Sequence, residues 1–280
     1  MSRRDEILAS VKSVEAMPSA IQQALGLLRD QNADMSELAH IIEFDPGLTA
    51  NILRLVNSSY FGGMRTITSV REAVLRLGSN QVFQLLIAAG VAPRMRKEIK
   101  GYGLSPGMLL ENAVVTAVAA ESTARQLGFS APEHTFTAGL LCNVGKIILG
   151  TFLEVDAGPI LELAEAERLT FERAEEAVLG VSHDEVGAVL LEHWGLPEAI
   201  VYVVRWRLKP DEAPQEDLAL DLVHVGTALA AMTGLGVGLD GLNYRPSRAV
   251  AVRLGLDQRS LELALARVMD DLGEVRELFV

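Results

Sequence analysis

Residues 138–148 read Ala-Gly-Leu-Leu-Cys-Asn-Val-Gly-Lys-Ile-Ile. The run is apolar apart from Asn143 and Lys146, and it holds the only cysteine of the chain, Cys142. Apolar burial raises a thiol's pKa, whereas the Lys146 ammonium, one helical turn onward, would lower it. A free cysteine in such a run reads as a small core side chain. Nowhere does the chain sustain period-two alternation of β-branched residues, so no strand is expected.

Outward from this stretch, helix signals recur. Asp34-Met-Ser-Glu37 offers a capping acid with Glu three residues on, ahead of Leu38, Ile41 and Ile42 at helical spacing. Asp45-Pro46 is a cap followed by proline at a first helical position. Ser69-Val-Arg-Glu72, Ser130-Ala-Pro-Glu133 and Ser182-His-Asp-Glu185 have the spacing of capping boxes, and Ser105-Pro106 reads as another start. Residues 113–120 are rich in Ala and Val. The expected fold is all-α, a multi-helix bundle of two packed helical layers.

The chain has 280 residues, 49% hydrophobic and 22% charged, with only 5% aromatic. An Ala/Leu-rich chain of this length favours packed helices and needs no disulfide to hold its core. One cysteine excludes an intrachain disulfide and fits a reducing cytoplasm. No apolar run follows Arg3-Arg4, so no signal peptide is expected, and no uninterrupted apolar stretch reaches membrane-spanning length.

Net charge is −12 but uneven: residues 1–100 carry 12 Lys+Arg against 10 Asp+Glu, and the other 180 carry 13 against 27. The acidic part argues against a nucleic-acid groove. The one basic run, Arg94-Met-Arg-Lys-Glu-Ile-Lys100, lacks interleaved aromatics and reads as a solvated helix end. Thr233 to Asn243 is Gly-rich, but no strand precedes it and no Gly-Lys-Ser/Thr ends it, so it reads as a connector rather than a phosphate loop. Tyr60-Phe61-Gly62-Gly63 either exposes its rings to a partner or anchors them in the core.

Residues 45–61 and 67–86, with Met17-Pro18, Gly139-Leu-Leu141, Gly145-Lys146, Ser182-His-Asp-Glu-Val-Gly187 and Trp194-Gly-Leu-Pro197, form an ordered set. That set resembles the HDOD family, bacterial relatives of the HD metal-dependent phosphohydrolases. The resemblance implies an HDOD domain over 14–208, with an N-terminal layer of about 14–104 and a degenerate HD-like layer of about 105–208. A helical extension would then occupy 209–280.

In the HD frame, imidazoles and carboxylates hold one or two divalent metals, which activate a water and neutralise the phosphoryl oxygens as charge develops. The resemblance places the first family histidine at Asn112, the His-Asp pair at Cys142 and Asn143, and the late aspartate at Thr227. Histidines that metal-binding cousins carry would lie near Val204 to Trp206, where none occurs, and only His183 stands at a ligand position. Amide and hydroxyl groups are weak donors toward a transition metal. The expectation is therefore a non-catalytic signalling or regulatory module, without metal or cofactor, that binds another signalling protein such as a sensor or regulatory enzyme. Nucleic acid and membrane are not expected partners. The former active-site side would be filled by side chains or reused as a docking or small-ligand pocket, with a recognition groove between the layers. The alternative is a divergent phosphodiesterase or phosphohydrolase with substitute ligands.

The remaining histidines read as structural. His183 would meet Asp184 or Glu185 in its capping turn, His193 would sit at a helix end, and His224 would be a satisfied core histidine. His40 and His134 read as surface positions.

Overall fold

The computed structural model describes residues 2–28, 34–57, 66–153, 157–241, 244 and 246–279, with side chains as far as 272. The Tyr60–Gly63 turn lies outside the described residues. Helix α1 spans Arg3–Val11, α2 Ser19–Leu28, α3 Met35–Glu43, α4 Pro46–Val56 and α5 Val70–Met95. Then come α6 (Met108–Leu127), α7 (Thr135–Leu141), α8 (Lys146–Leu153), α9 (Gly158–Ala166) and α10 (Phe171–Leu179). They are followed by α11 (His183–His193), α12 (Glu198–Trp206), α13 (Leu218–Thr233), α14 (Arg248–Leu254) and α15 (Gln258–Phe279). Among the described residues there is no strand, only an isolated bridge between Ile99 and Leu104. The chain is all-helical, as its composition implied.

Local chemistry explains several starts. The Asp34 carboxylate accepts from Ser36 N, and Asp45 accepts from Leu48 N with Pro46 at the first helical position. The serine boxes behave differently. Ser69 Oγ accepts from Glu72 N, but Ser182 makes no side-chain cap and instead donates to Glu176. Helix α6 starts at Met108 behind a left-handed Gly107 rather than at Ser105, and α7 starts at Thr135 without a side-chain cap. At Ser182 a partner on the preceding helix outcompeted the local box.

The chain divides into two compact units. One comprises Met1–Val14 with Met95–Asp270, the other Glu15–Arg94 with Asp271–Val280. The smaller is built on α2 against α3 and α3 against α4. In it Arg94, the first residue of the basic run, is structural: its guanidinium donates to Gly90 O and Ala16 O. Helix α5 bends at Gly78, whose φ of +75° breaks the helical path.

The larger unit is organised on α6, which packs against α7 and α13. Helix α13, assigned from sequence to a C-terminal extension, thus belongs by contact to the same body as residues 105–208. Glycine permits the close approach. A Cβ at Gly139 would lie 2.7 Å from Ala117 Cα, and one at Gly226 would lie 2.6 Å from Thr116 O. By length and composition alone, Val70–Met95 and Thr135–Leu153 reach membrane-spanning character, although neither is uninterrupted. The second is 83% buried within its unit, so its apolarity is that of a core segment.

Gly145 ties this packing to the site. A Cβ there would fall 1.9 Å from His183 O and 2.5 Å from Gly187 N, so the start of α8 lies directly on α11. Backbone on both sides leaves nothing soft to yield. Gly145→Ala should therefore lower unfolding free energy by about 3 kcal/mol, read as a fall in urea midpoint at unchanged slope.

Candidate functional site

The larger unit brings together most of the positions singled out in sequence. Asn112 lies on α6, Cys142 caps the end of α7, Asn143 follows in the turn before α8, His183 opens α11 and Thr227 lies on α13. The Asn143 amide donates to Asn112 Oδ1 at 2.9 Å, and the Asn112 amide donates to Leu235 O at 3.0 Å. Thr227 lines the same small cavity but spends its hydroxyl proton on Val223 O, one turn back. The Cys142 thiol is fully buried and takes no part; only its carbonyl faces the cluster.

The centre of the cluster is a residue the sequence reading passed over. Arg207, the C-cap of α12, is 1% exposed. Its Nε donates to Cys142 O at 3.0 Å, and its Nη2 donates to Asn143 Oδ1 at 2.8 Å and to His183 Nε2 at 3.2 Å. A guanidinium can only donate, so Nε2 of His183 is the acceptor and Nδ1 carries the ring proton. That proton goes to Glu175 Oε2 at 2.8 Å, and the same oxygen accepts from His183 N at 2.9 Å. The Tyr102 hydroxyl donates to the other oxygen of Glu175. Burial, and then the Glu175 carboxylate, pushes the Tyr102 pKa well above its ordinary value, so this phenol stays a donor. His183 therefore meets Glu175 on α10 rather than its sequence neighbours. Asp184 instead faces Lys209 at 4.0 Å, and Glu185 pairs with Arg4.

Two further ion pairs flank the core. Lys146 donates to Asp240 at 2.6 Å. Burial would raise the Asp240 carboxyl, but the Lys146 ammonium prevails and holds it below the usual carboxylate range. Lys209 donates to Glu176. Burial would lower its pKa, but Asp184 and Glu176 outweigh it and keep the ammonium charged. Glu172, also on the cavity wall, is pushed upward by burial, only partly offset by its bond from Thr170. The space left at the centre is about 40 Å³, room for roughly three waters.

The other histidines divide by burial. His224 Nε2 accepts from Ser247 N at 2.8 Å, so its Nδ1 donates to Arg207 O at 2.6 Å. It is a core histidine with both nitrogens satisfied, and burial lowers its pKa. His134, expected at the surface, is half-buried, and burial lowers its pKa as well. His40 and His193 are exposed.

Several members of this site were absent from the sequence reading: Arg207, Glu175, Tyr102, Asp240 and Glu172. Arg207 had a usable signal. A charged residue directly follows the apolar face of α12, one position beyond the Val204–Trp206 window searched for histidines. Glu175 had none, since α10 also carries Glu172 and Glu176 and only packing decides that Glu172 and Glu175 are buried and that Glu175 is the one that meets His183.

The larger unit is all-helical and gathers the Asn112, Cys142-Asn143, His183 and Thr227 positions about one polar centre. The chain belongs to the HDOD domain family, whose profile matches residues 14–210. Its fold matches that of an HDOD domain protein of unknown function from Geobacter sulfurreducens. The TM-score is 0.70 at 23% identity, over 98% of this chain and 95% of that one. A protein from Shewanella amazonensis SB2B, provisionally assigned as a phosphohydrolase, matches with TM-score 0.72 at 23% identity, over 97% and 96% of the two chains. At these identities the likeness is one of fold. An uncharacterised protein of Treponema pallidum (strain Nichols) is 25% identical over 210 residues, 74% of this chain and 40% of that protein. The chain thus spans less than half the length of that relative.

Two outcomes test the geometry. Arg207→Met strips a donor from three buried acceptors and should cost about 3 kcal/mol in chemical denaturation, with Arg207→Lys costing less because the ammonium keeps the charge but loses the fork. For His224, the folded pKa lies below the unfolded value of 6.5. Its contribution is complete above that value and is lost as pH falls toward the folded pKa, because the unfolded chain binds the proton first. His224→Gln should therefore flatten the drop in urea midpoint below about pH 6.5.

Proposed function

We propose that this chain is a non-catalytic regulatory module of bacterial signal transduction that works in the cytoplasm by binding another protein. The observation that carries the reading is the Arg207 guanidinium donating into Asn143 Oδ1, Cys142 O and His183 Nε2. A divalent cation at this place would need those lone pairs open. Here the imidazole lone pair, the one strong nitrogen donor among the HD-frame positions, is already taken by a fixed positive charge. The other positions supply two amides, a hydroxyl and the fully buried Cys142 thiol, with no carboxylate among them to balance the charge of a metal. Among the described residues, no group of three or more His, Cys, Asp or Glu is placed to hold a metal ion. On this reading the donor set does not fit a catalytic metal, and an internal cation stands in its place.

Space argues the same way. Small-molecule sites usually enclose about 300–1,000 Å³, whereas the volume between Asn112, Asn143, Lys146 and Arg207 is about 40 Å³. The former reaction centre is filled, and regulation has to be exerted from a surface.

One feature favours the alternative of a divergent phosphohydrolase. The Glu175–His183 pair has the form of the carboxylate–imidazole couple that orients metal-ligating histidines. In such couples, however, the nitrogen away from the carboxylate points at the metal, and here it points at Arg207. Elemental analysis and hydrolysis of mono- and diester nitrophenyl phosphates, with Mn, Fe or Zn added, separate the two readings. The expected result is substoichiometric metal and no turnover above the buffer rate. Stoichiometric metal lost in His183→Ala, together with turnover, would establish the enzyme instead.

A further inference from the structure

The smaller unit leaves a large aromatic side chain in water. Phe44, the C-cap of α3, is 75% exposed and lies edge-on to His40, with ring centroids 4.6 Å apart at 78°. The two rings border an open groove of about 400 Å³ whose other walls include Ala20 and Gln23 of α2, Ile41 of α3 and Pro46 of α4. Exposing a phenyl ring forgoes roughly 1.5–3 kcal/mol of burial, and a groove beside it offers the surface against which that burial would occur.

The rim has one sign of charge. Glu37 lies three residues before His40 and four before Ile41, on the same helical face, and it is exposed. Asp45 lines the groove itself. From residue 34 to residue 53 the sequence holds Asp34, Glu37, Glu43 and Asp45 but no Lys or Arg, and α2 has no charged residue. Asp45 and Glu37 beside the apolar Ala20, Ile41, Phe44 and Pro46, in a lining that also holds Ser19, Gln23 and His40, disfavour nucleic acid and anionic lipid headgroups and complement a cationic, apolar-faced segment.

We propose that this groove docks a basic amphipathic helix of a partner protein, with apolar side chains seated against Phe44 and Ile41 and Lys or Arg side chains opposite Glu37 and Asp45. This rests on the reading of the chain as a protein-binding module and adds the place and the chemistry of the contact. Helix-in-groove recognition uses apolar anchors at helical spacing for affinity, while rim charges set approach rate and partner choice.

The test uses the full chain and a fluorescent Leu/Lys peptide of about five helical turns, patterned to be amphipathic. A scrambled peptide of equal composition serves as control, and anisotropy is the readout. The patterned peptide should bind at least about tenfold more tightly than the scrambled one, and Phe44→Ala should remove about tenfold of that affinity. Glu37→Gln with Asp45→Asn, which keeps an asparagine cap on α4, should weaken binding at low salt, with the difference shrinking at high salt. Val252→Ala, at a residue 72% exposed in the larger unit, should change nothing. Equal binding of both peptides, or binding unaffected by Phe44→Ala, would overturn the proposal. So would a dimer in sedimentation that Phe44→Ala dissolves, or vesicle binding that the same change abolishes, because either gives the groove another occupant. Metal-dependent ester hydrolysis would defeat the non-catalytic reading alone, leaving the peptide result to judge the groove.

Discussion

A guanidinium sealed away from water constrains everything around it. Removing Arg207 from solvent costs several kcal/mol unless its donors are met, and it meets them on the Cys142 carbonyl, the Asn143 amide and the His183 ring. Its own carbonyl accepts from His224 on α13. A single residue therefore joins the end of α7, the start of α11, the end of α12 and the middle of α13. The requirement also accounts for the amide at 143. Asn143 accepts from Arg207 with its oxygen and donates to Asn112 with its nitrogen, which an ionised aspartate could not do. Asn112 hands the chain of bonds on to Leu235 O, fastening the connector after α13 to α6.

The charge of Arg207 is balanced at one remove. His183, held with its proton on Nδ1, passes the polarity to Glu175, and Glu175 is completed by the Tyr102 hydroxyl and the His183 amide. Lys146 with Asp240, and Lys209 with Glu176, close the flanks. Buried charges in such a chain are individually costly and are offset by its hydrogen bonds, although both Asp184 oxygens and Asp240 Oδ1 are buried without a hydrogen bond and depend on the nearby Lys209 and Lys146 ammonium groups. Small residues make the approach possible. Gly145 against His183 O and Gly187 N brings α8 and α11 to backbone contact, and Gly236, with φ of +61°, presses the connector onto Met108 O and Asn112 N. The Gly-rich stretch from Thr233 is thus a tight connector.

Much of this was legible in one dimension. Helical spacing, the Asp34 and Asp45 caps and the Ala/Val run at 113–120 depend on residues a few positions apart, so they survive reading without a structure. That positions 112, 142, 143 and 227 hold amides, a thiol and a hydroxyl is likewise a matter of residue identity. The serine boxes were less legible, because a hydroxyl offered both a local amide and a distant carboxylate takes whichever the packing presents, as Ser182 does with Glu176.

Residue identity alone determined that the chain is helical and that its HD-frame positions hold amides, a thiol and a hydroxyl. Which cation fills the space they leave was decided only by tertiary structure. Arg207 is separated from Cys142 by 64 intervening residues, so its place after the apolar face of α12 marks it as a candidate without naming its acceptors, and Arg205, two residues before, pairs with Glu192 instead. Folding brings the end of α12 against the turn after α7, and burial then makes the stronger demand: a charge with no water around it must find every acceptor within reach.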